Sequence, residues 1–138
     1  MVQAPLDVRL APNRILQPDA MVLLRALAVD APTPLDVVPD ICIEVLSGNR
    51  AYDRVTKRYL YGEAGVREYW LVDPGGVVER RSGENLVDLE LHDTRLESPF
   101  LPGFVIDLPR LFAKFVNRAQ CCPPKSGRVI TANATASL

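Results

Sequence analysis

Two carboxylates and a lysine are the residues of this chain whose types and spacing could do chemistry. Glu44 stands inside the apolar run Ile41-Cys42-Ile43-Glu44-Val45-Leu46. Apolar neighbours on both sides predict a central strand covered on both faces. An ionised Glu there is costly unless a cation or a set of donors meets it. Asp19, in Gln17-Pro18-Asp19, opens a second apolar run, Ala20-Met21-Val22-Leu23-Leu24. Acids on adjacent strands, followed by a helix with an inward Lys57, suggest a divalent-metal site for phosphodiester hydrolysis. A hard cation such as Mg²⁺ prefers one or two carboxylates plus waters and phosphate oxygens. It would acidify a water and neutralise charge developing on the phosphate. Lys57 could position the attacking water or stabilise the transition state.

The helix that must present Lys57 is predicted from about Arg50 to Ala64, with Gly65 as its stop. At about 100° per residue, Asp53, Lys57, Leu60 and Ala64 fall on one stripe, with Tyr61 at its edge. Leu60 and Ala64 should pack on the sheet. Their stripe, followed toward the N-terminus, meets Lys57 and then Asp53. Charged residues on a packing face fit a helix end that borders a cleft, where α/β sheets place their sites. Asp53 would then orient Lys57 through an i,i+4 ion pair. Arg50, Arg54 and Arg58 lie on a flanking stripe, either a solvated face or contacts to phosphate.

The remaining elements follow from periodicity and turn residues. Leu6–Leu10 alternates as a half-exposed strand, and a second strand runs from Pro18 to about Leu24. Residues 26–39, with three prolines, read as a loop or short helical excursion. Arg67–Asp73 is a strand closed by Pro74-Gly75-Gly76, so residues 41–73 form a strand–helix–strand unit with parallel pairing. Val77–Arg81 and Asn85–Leu91 read as a hairpin, Phe104–Ile106 as a short strand and Leu108–Val116 as a closing helix. From Asn117 onward periodicity is lost and a disordered tail is expected. The reading is one domain over 1–116 followed by a tail over 117–138.

Composition sets the outer bounds. The chain has 138 residues, 48% apolar and 24% charged, which fits a globular domain with one real core. No apolar stretch is long enough to span a bilayer and no signal-peptide pattern opens the chain, so a cytoplasmic location is expected. The net charge of −1 counts against gripping nucleic acid by bulk charge alone. Cys42 reads as a small core residue, and the adjacent Cys121 and Cys122 fit neither a disulfide nor a zinc site.

These residues also carry a resemblance. Gln17-Pro18-Asp19, then Pro39-Asp40-Ile41-Cys42-Ile43-Glu44-Val45-Leu46-Ser47, then Asp53-x-x-x-Lys57-x-x-x-Tyr61, then Ala64-Gly65-Val66-Arg67-Glu68-Tyr69-Trp70-Leu71-Val72-Asp73-Pro74 resemble the Uma2 family. These bacterial DUF820 proteins are grouped with the PD-(D/E)XK nuclease superfamily. The resemblance runs from about Val8 to Phe112 and is densest over 39–74. It implies an α/β restriction-endonuclease-like core, a mixed central sheet flanked by helices. It also implies a Mg²⁺- or Mn²⁺-dependent endonuclease acting on DNA, with Asp19 and Glu44 as metal-binding acids. The superfamily's lysine position, two residues after the glutamate, is Leu46 here, and the resemblance implies Lys57 on the helix as the candidate replacement. Family members usually begin with a further helix and strands, so an N-terminally shortened core is expected. A homodimer is expected for a double-strand cut.

Each residue has a plainer alternative. Asp19 could cap a turn, Glu44 could pair with an arginine such as Arg67, and Lys57 could reach solvent along its stem. Asp53 could simply favour the helix dipole. Tyr61, Tyr69 and Trp70 read as core, Glu68 as an exposed strand position and Asp73 as a turn acid. Ser47 lacks the context of a nucleophile, and His92 in a hairpin strand is a poor base for it. The alternative function is an inactive family member serving as a binding or oligomerisation module.

Overall fold

The computed structural model describes residues 2–3, 6–28, 30–46 and 52–121. They form a mixed α/β protein, as the sequence predicts. Its principal sheet has six strands in the order β1-β4-β5-β6-β7-β8. These are β1 (Val2–Gln3), β4 (Ala20–Val22), β5 (Ile41–Val45), β6 (Glu68–Asp73), β7 (Val77–Ser82) and β8 (Asp88–His92). A separate two-stranded hairpin pairs β2 (Val8–Ala11) with β3 (Arg14–Leu16). The chain packs as two compact units, Met1–Val72 with Glu79–Glu90, and Asp73–Val78 with Leu91–Leu138.

In the first unit, β4 runs antiparallel to β5, pairing Ala20 with Ile43, Met21 with Cys42 and Val22 with Ile41. Strand β6 runs parallel to β5, pairing Cys42 with Tyr69 and Glu44 with Leu71. Directly paired residues share a face, so Cys42, Glu44, Tyr69 and Leu71 look the same way. That face builds a core of Cys42, Leu46, Tyr61, Val66, Tyr69, Leu71 and Leu86. A second cluster, Val8, Met21 and Leu35, gathers the hairpin and the loop before β5.

The connection between β5 and β6 is helical but not uniformly α. Tyr52–Lys57 is a π-helical stretch, and α1 (Arg58–Ala64) continues from it. Such wide turns concentrate at functional positions in helices. Gly65, at φ 91°, ends α1 in the left-handed conformation that glycine adopts without steric cost. Its amide donates to the Gly62 carbonyl (3.1 Å) and that of Val66 to the Tyr61 carbonyl (3.1 Å). This paired closure turns the chain back into β6.

Glu68 differs from expectation: it is fully buried rather than exposed. Its Oε1 accepts from Arg80 Nε (3.0 Å) and Nη2 (2.7 Å), and its Oε2 accepts from Trp70 Nε1 (2.8 Å). Arg80 Nη1 also donates to Glu90 at 2.8 Å. The arginine stands 12 residues further along the chain, on the next strand of the sheet. Local alternation around Glu68 therefore carried no sign of it.

The second unit holds β9 (Arg95–Glu97), antiparallel to β10 (Val105–Asp107), and α2 (Leu108–Cys121). Asp107 Oδ1 accepts from the Arg110 amide at 3.1 Å and so caps α2. The helix continues to Cys121, beyond the end set by its apolar periodicity. Arg118, Ala119 and Gln120 are strong helix formers, and backbone propensity extends the helix without an apolar stripe. Residues 122–138 lie outside the described residues.

Gly62 is a packing requirement. A Cβ built there would stand 2.8 Å from the Asn85 carbonyl oxygen. Asn85 and Leu86 both have positive φ, at 54° and 58°, and so hold that backbone in a sparsely allowed conformation. Gly62→Ala should destabilise the protein by about 2 kcal/mol, read as a lower midpoint in urea. Unchanged stability would mean that the 84–86 segment is free to yield.

Candidate active site

Strand register brings the two sequence-predicted acids together. Ala20 pairs with Ile43 in the antiparallel β4–β5 ladder, so continuing by one residue sets Asp19 opposite Glu44. Asp19 Oδ2 accepts from the Val45 amide at 2.8 Å, which holds its carboxylate at the end of β5. Asp19 is exposed, whereas the Glu44 side chain is only 3% exposed. One acid thus faces solvent while its neighbour is inside the fold.

Two donors meet Glu44, and both take the same oxygen. Lys57 Nζ lies 3.0 Å from Glu44 Oε1, and the Tyr61 hydroxyl donates to Oε1 at 2.8 Å. The two donors stand four residues apart, a spacing that puts side chains on one helical face. Tyr61 is buried with its ring against Tyr69, the centroids 5.4 Å apart at 45°. Among the described residues, no protein donor reaches Glu44 Oε2 or Asp19 Oδ1.

Burial raises the Glu44 pKa above the ordinary carboxylate value. Hydrogen bonds from Lys57 and Tyr61 and the Lys57 charge pull it back, and the Asp19 carboxylate pushes it further up. Burial, with Cys42 and Glu44 close by, drives the Tyr61 phenol far upward, so it remains a proton donor at every physiological pH. Cys42 is also pushed up by burial, secondarily by Glu44, and is an unreactive core thiol.

The inward placement of Lys57 follows the stripe reading, and the alternative pairing of Glu44 with Arg67 does not occur. Arg67 lies 3.5 Å from Asp40 instead. Arg54 pairs with Glu79 at 3.2 Å, and Arg58 donates to the Leu86 carbonyl at 3.5 Å. The side chain of Asp53, and all of Arg50 and Ser47, lie outside the described residues. His92 accepts or donates at the Arg95 carbonyl through Nδ1 (3.1 Å). Tyr61 is the site residue that sequence reasoning assigned to the core alone. Its spacing from Lys57 was the available signal.

The Asp19 and Glu44 donor set fits a hard divalent cation: two carboxylates side by side, each with one oxygen held by the protein and one without a protein donor. The same burial makes ionised Glu44 unfavourable for the fold. Its raised pKa means that the folded state retains a proton that the unfolded state has released. Stability due to this group is present below about pH 4.3 and is lost as pH rises through the folded value. Glu44→Gln, without metal, should therefore melt higher than wild type at pH 7–8, with the gap closing toward pH 4. A variant that melts lower at neutral pH would show that the ion pair with Lys57 outweighs burial.

Comparison with known proteins shows the family. A profile of the Uma2 family, described as "Putative restriction endonuclease", matches residues 1–109. A crystal structure described as a putative nuclease belonging to DUF820, from Anabaena variabilis ATCC 29413, is 26% identical with a TM-score of 0.46. That match covers 57% of this chain and 46% of the other, less than half of its length. No curated protein matches. With the family profile spanning most of its length, the chain belongs to the Uma2 family.

Proposed function

We propose that this protein is a metal-dependent endonuclease that hydrolyses DNA phosphodiester bonds at Asp19, Glu44 and Lys57. The observation that carries the reading is the contrast between two buried glutamates on neighbouring strands. Glu68 has both oxygens taken by Arg80 and Trp70, as a structural ion pair requires. Glu44 has one oxygen taken and the other open beside Asp19. A purely structural carboxylate gains nothing from crowding both donors onto one oxygen.

Asp19 and Glu44 would hold a Mg²⁺ or Mn²⁺ ion, which supplies Lewis-acid neutralisation of charge at the phosphate. Lys57 keeps Glu44 ionised by supplying the opposite charge at 3.0 Å. Its ammonium can stabilise phosphate oxygens as negative charge develops there. Asp53 is the proposed helper of Lys57, and Arg50, Arg54 and Arg58 are the proposed contacts to the DNA backbone. Arg54 would bring a guanidinium already oriented by Glu79. Two copies would be needed for a double-strand cut, so a homodimer belongs to the proposal. Among the described residues, no helix is long and apolar enough to cross a membrane.

Supercoiled plasmid incubated with the purified protein should be nicked in Mn²⁺ or Mg²⁺ and not in EDTA. Glu44→Ala should abolish nicking, and Lys57→Met should slow it by about 100-fold. A folded wild type that leaves plasmid intact in both metals would instead support the binding-module alternative.

A further inference from the structure

Tyr61 does more than fill the core. Packing against Tyr69 needs only the ring, which Phe would supply equally well. The hydroxyl is spent on Glu44 Oε1, the oxygen that Lys57 already reaches. The two donors are not equivalent. Lys57 carries a compact charge on a flexible four-carbon stem and can follow the carboxylate as it turns. The Tyr61 ring is wholly buried and wedged against Tyr69, so its hydroxyl offers one fixed point. A carboxylate tied to that point cannot rotate about its terminal bond without losing the hydrogen bond. Its other oxygen is thereby held in one place on the strand next to Asp19.

We infer that Tyr61 is a positioning residue for the cation seat: it locks the Glu44 carboxylate and so sets the affinity of Asp19 and Glu44 for a divalent ion. The inference rests on the proposal that these two acids bind metal. Partners that orient metal-binding side chains commonly change affinity by about 10- to 100-fold when removed. Tyr61→Phe keeps the ring and removes only the fixed donor. Lys57 remains to neutralise Glu44, and a loss that persists as the pH is raised reports orientation rather than charge.

The test is Mn²⁺ affinity of the full chain, read from the electron paramagnetic resonance signal of free Mn²⁺. Tyr61→Phe should weaken binding about tenfold in protein that still melts cooperatively. Lys57→Met removes charge, so its Mn²⁺ binding should weaken at pH 6.5 and recover to the wild-type value by pH 8.5, whereas the Tyr61→Phe loss should persist at the higher pH. The Lys57 side chain reaches the surface at 17% exposure, so this variant reads out even if Tyr61→Phe does not fold. Wild-type affinity in Tyr61→Phe, or a tenfold loss in Lys57→Met that persists at pH 8.5, would overturn the inference. If wild type binds Mn²⁺ and Glu44→Gln abolishes that binding, either result overturns the role of Tyr61 alone. If wild type does not bind Mn²⁺, the metal reading falls with it.

Discussion

The structure depends on how one carboxylate is kept inside a sheet. Glu44 interrupts an apolar strand, and its burial works against the charge it must carry. Lys57 and Tyr61 lessen that cost from a single helical face, both at Oε1. Had they spread over both oxygens, as Arg80 and Trp70 do at Glu68, the group would be satisfied and inert. Their convergence puts both donors on one oxygen of Glu44. Asp19, across the ladder with its own open oxygen, adds like charge and sharpens that demand.

The surrounding fold serves this arrangement. Parallel pairing of β5 and β6 requires a crossover, and the crossover helix brings Lys57 and Tyr61 back over Glu44. A π-helical entry sets the phase in which Lys57 arrives, and Gly62 lets the 84–86 segment press against α1. Gly65 then stops the helix so that Tyr69 enters β6 beneath the Tyr61 ring. Asp19 is fixed by the Val45 amide, one residue beyond Glu44, so both acids take their positions from the same strand end.

Much of this was legible in the sequence because the determining patterns are local. The apolar run around Glu44, the stripe through Lys57 and the glycine after Ala64 each announce themselves within a few residues. The Asp19–Glu44 juxtaposition needed only the assumption that the two apolar runs pair. What escaped sequence reading depends on partners distant in the chain or on atomic phase. Local alternation places Glu68 on an exposed face because its partner Arg80 lies on another strand, and the three residues of β3 are too few to give a periodicity. The π-helical turn has no compositional signature, and a tyrosine at the edge of a core stripe does not reveal where its hydroxyl points.

The central claim is that the open oxygens of Asp19 and Glu44 form a seat for a divalent ion. The most direct test is a crystal grown in Mn²⁺, with anomalous diffraction collected at the manganese edge. A peak bridging the Asp19 and Glu44 carboxylates, with Tyr61 still on Glu44 Oε1, is the predicted result. Saturating Mn²⁺ with no peak there, and Lys57 alone facing Glu44, would contradict the claim and mark this carboxylate as half of a structural ion pair.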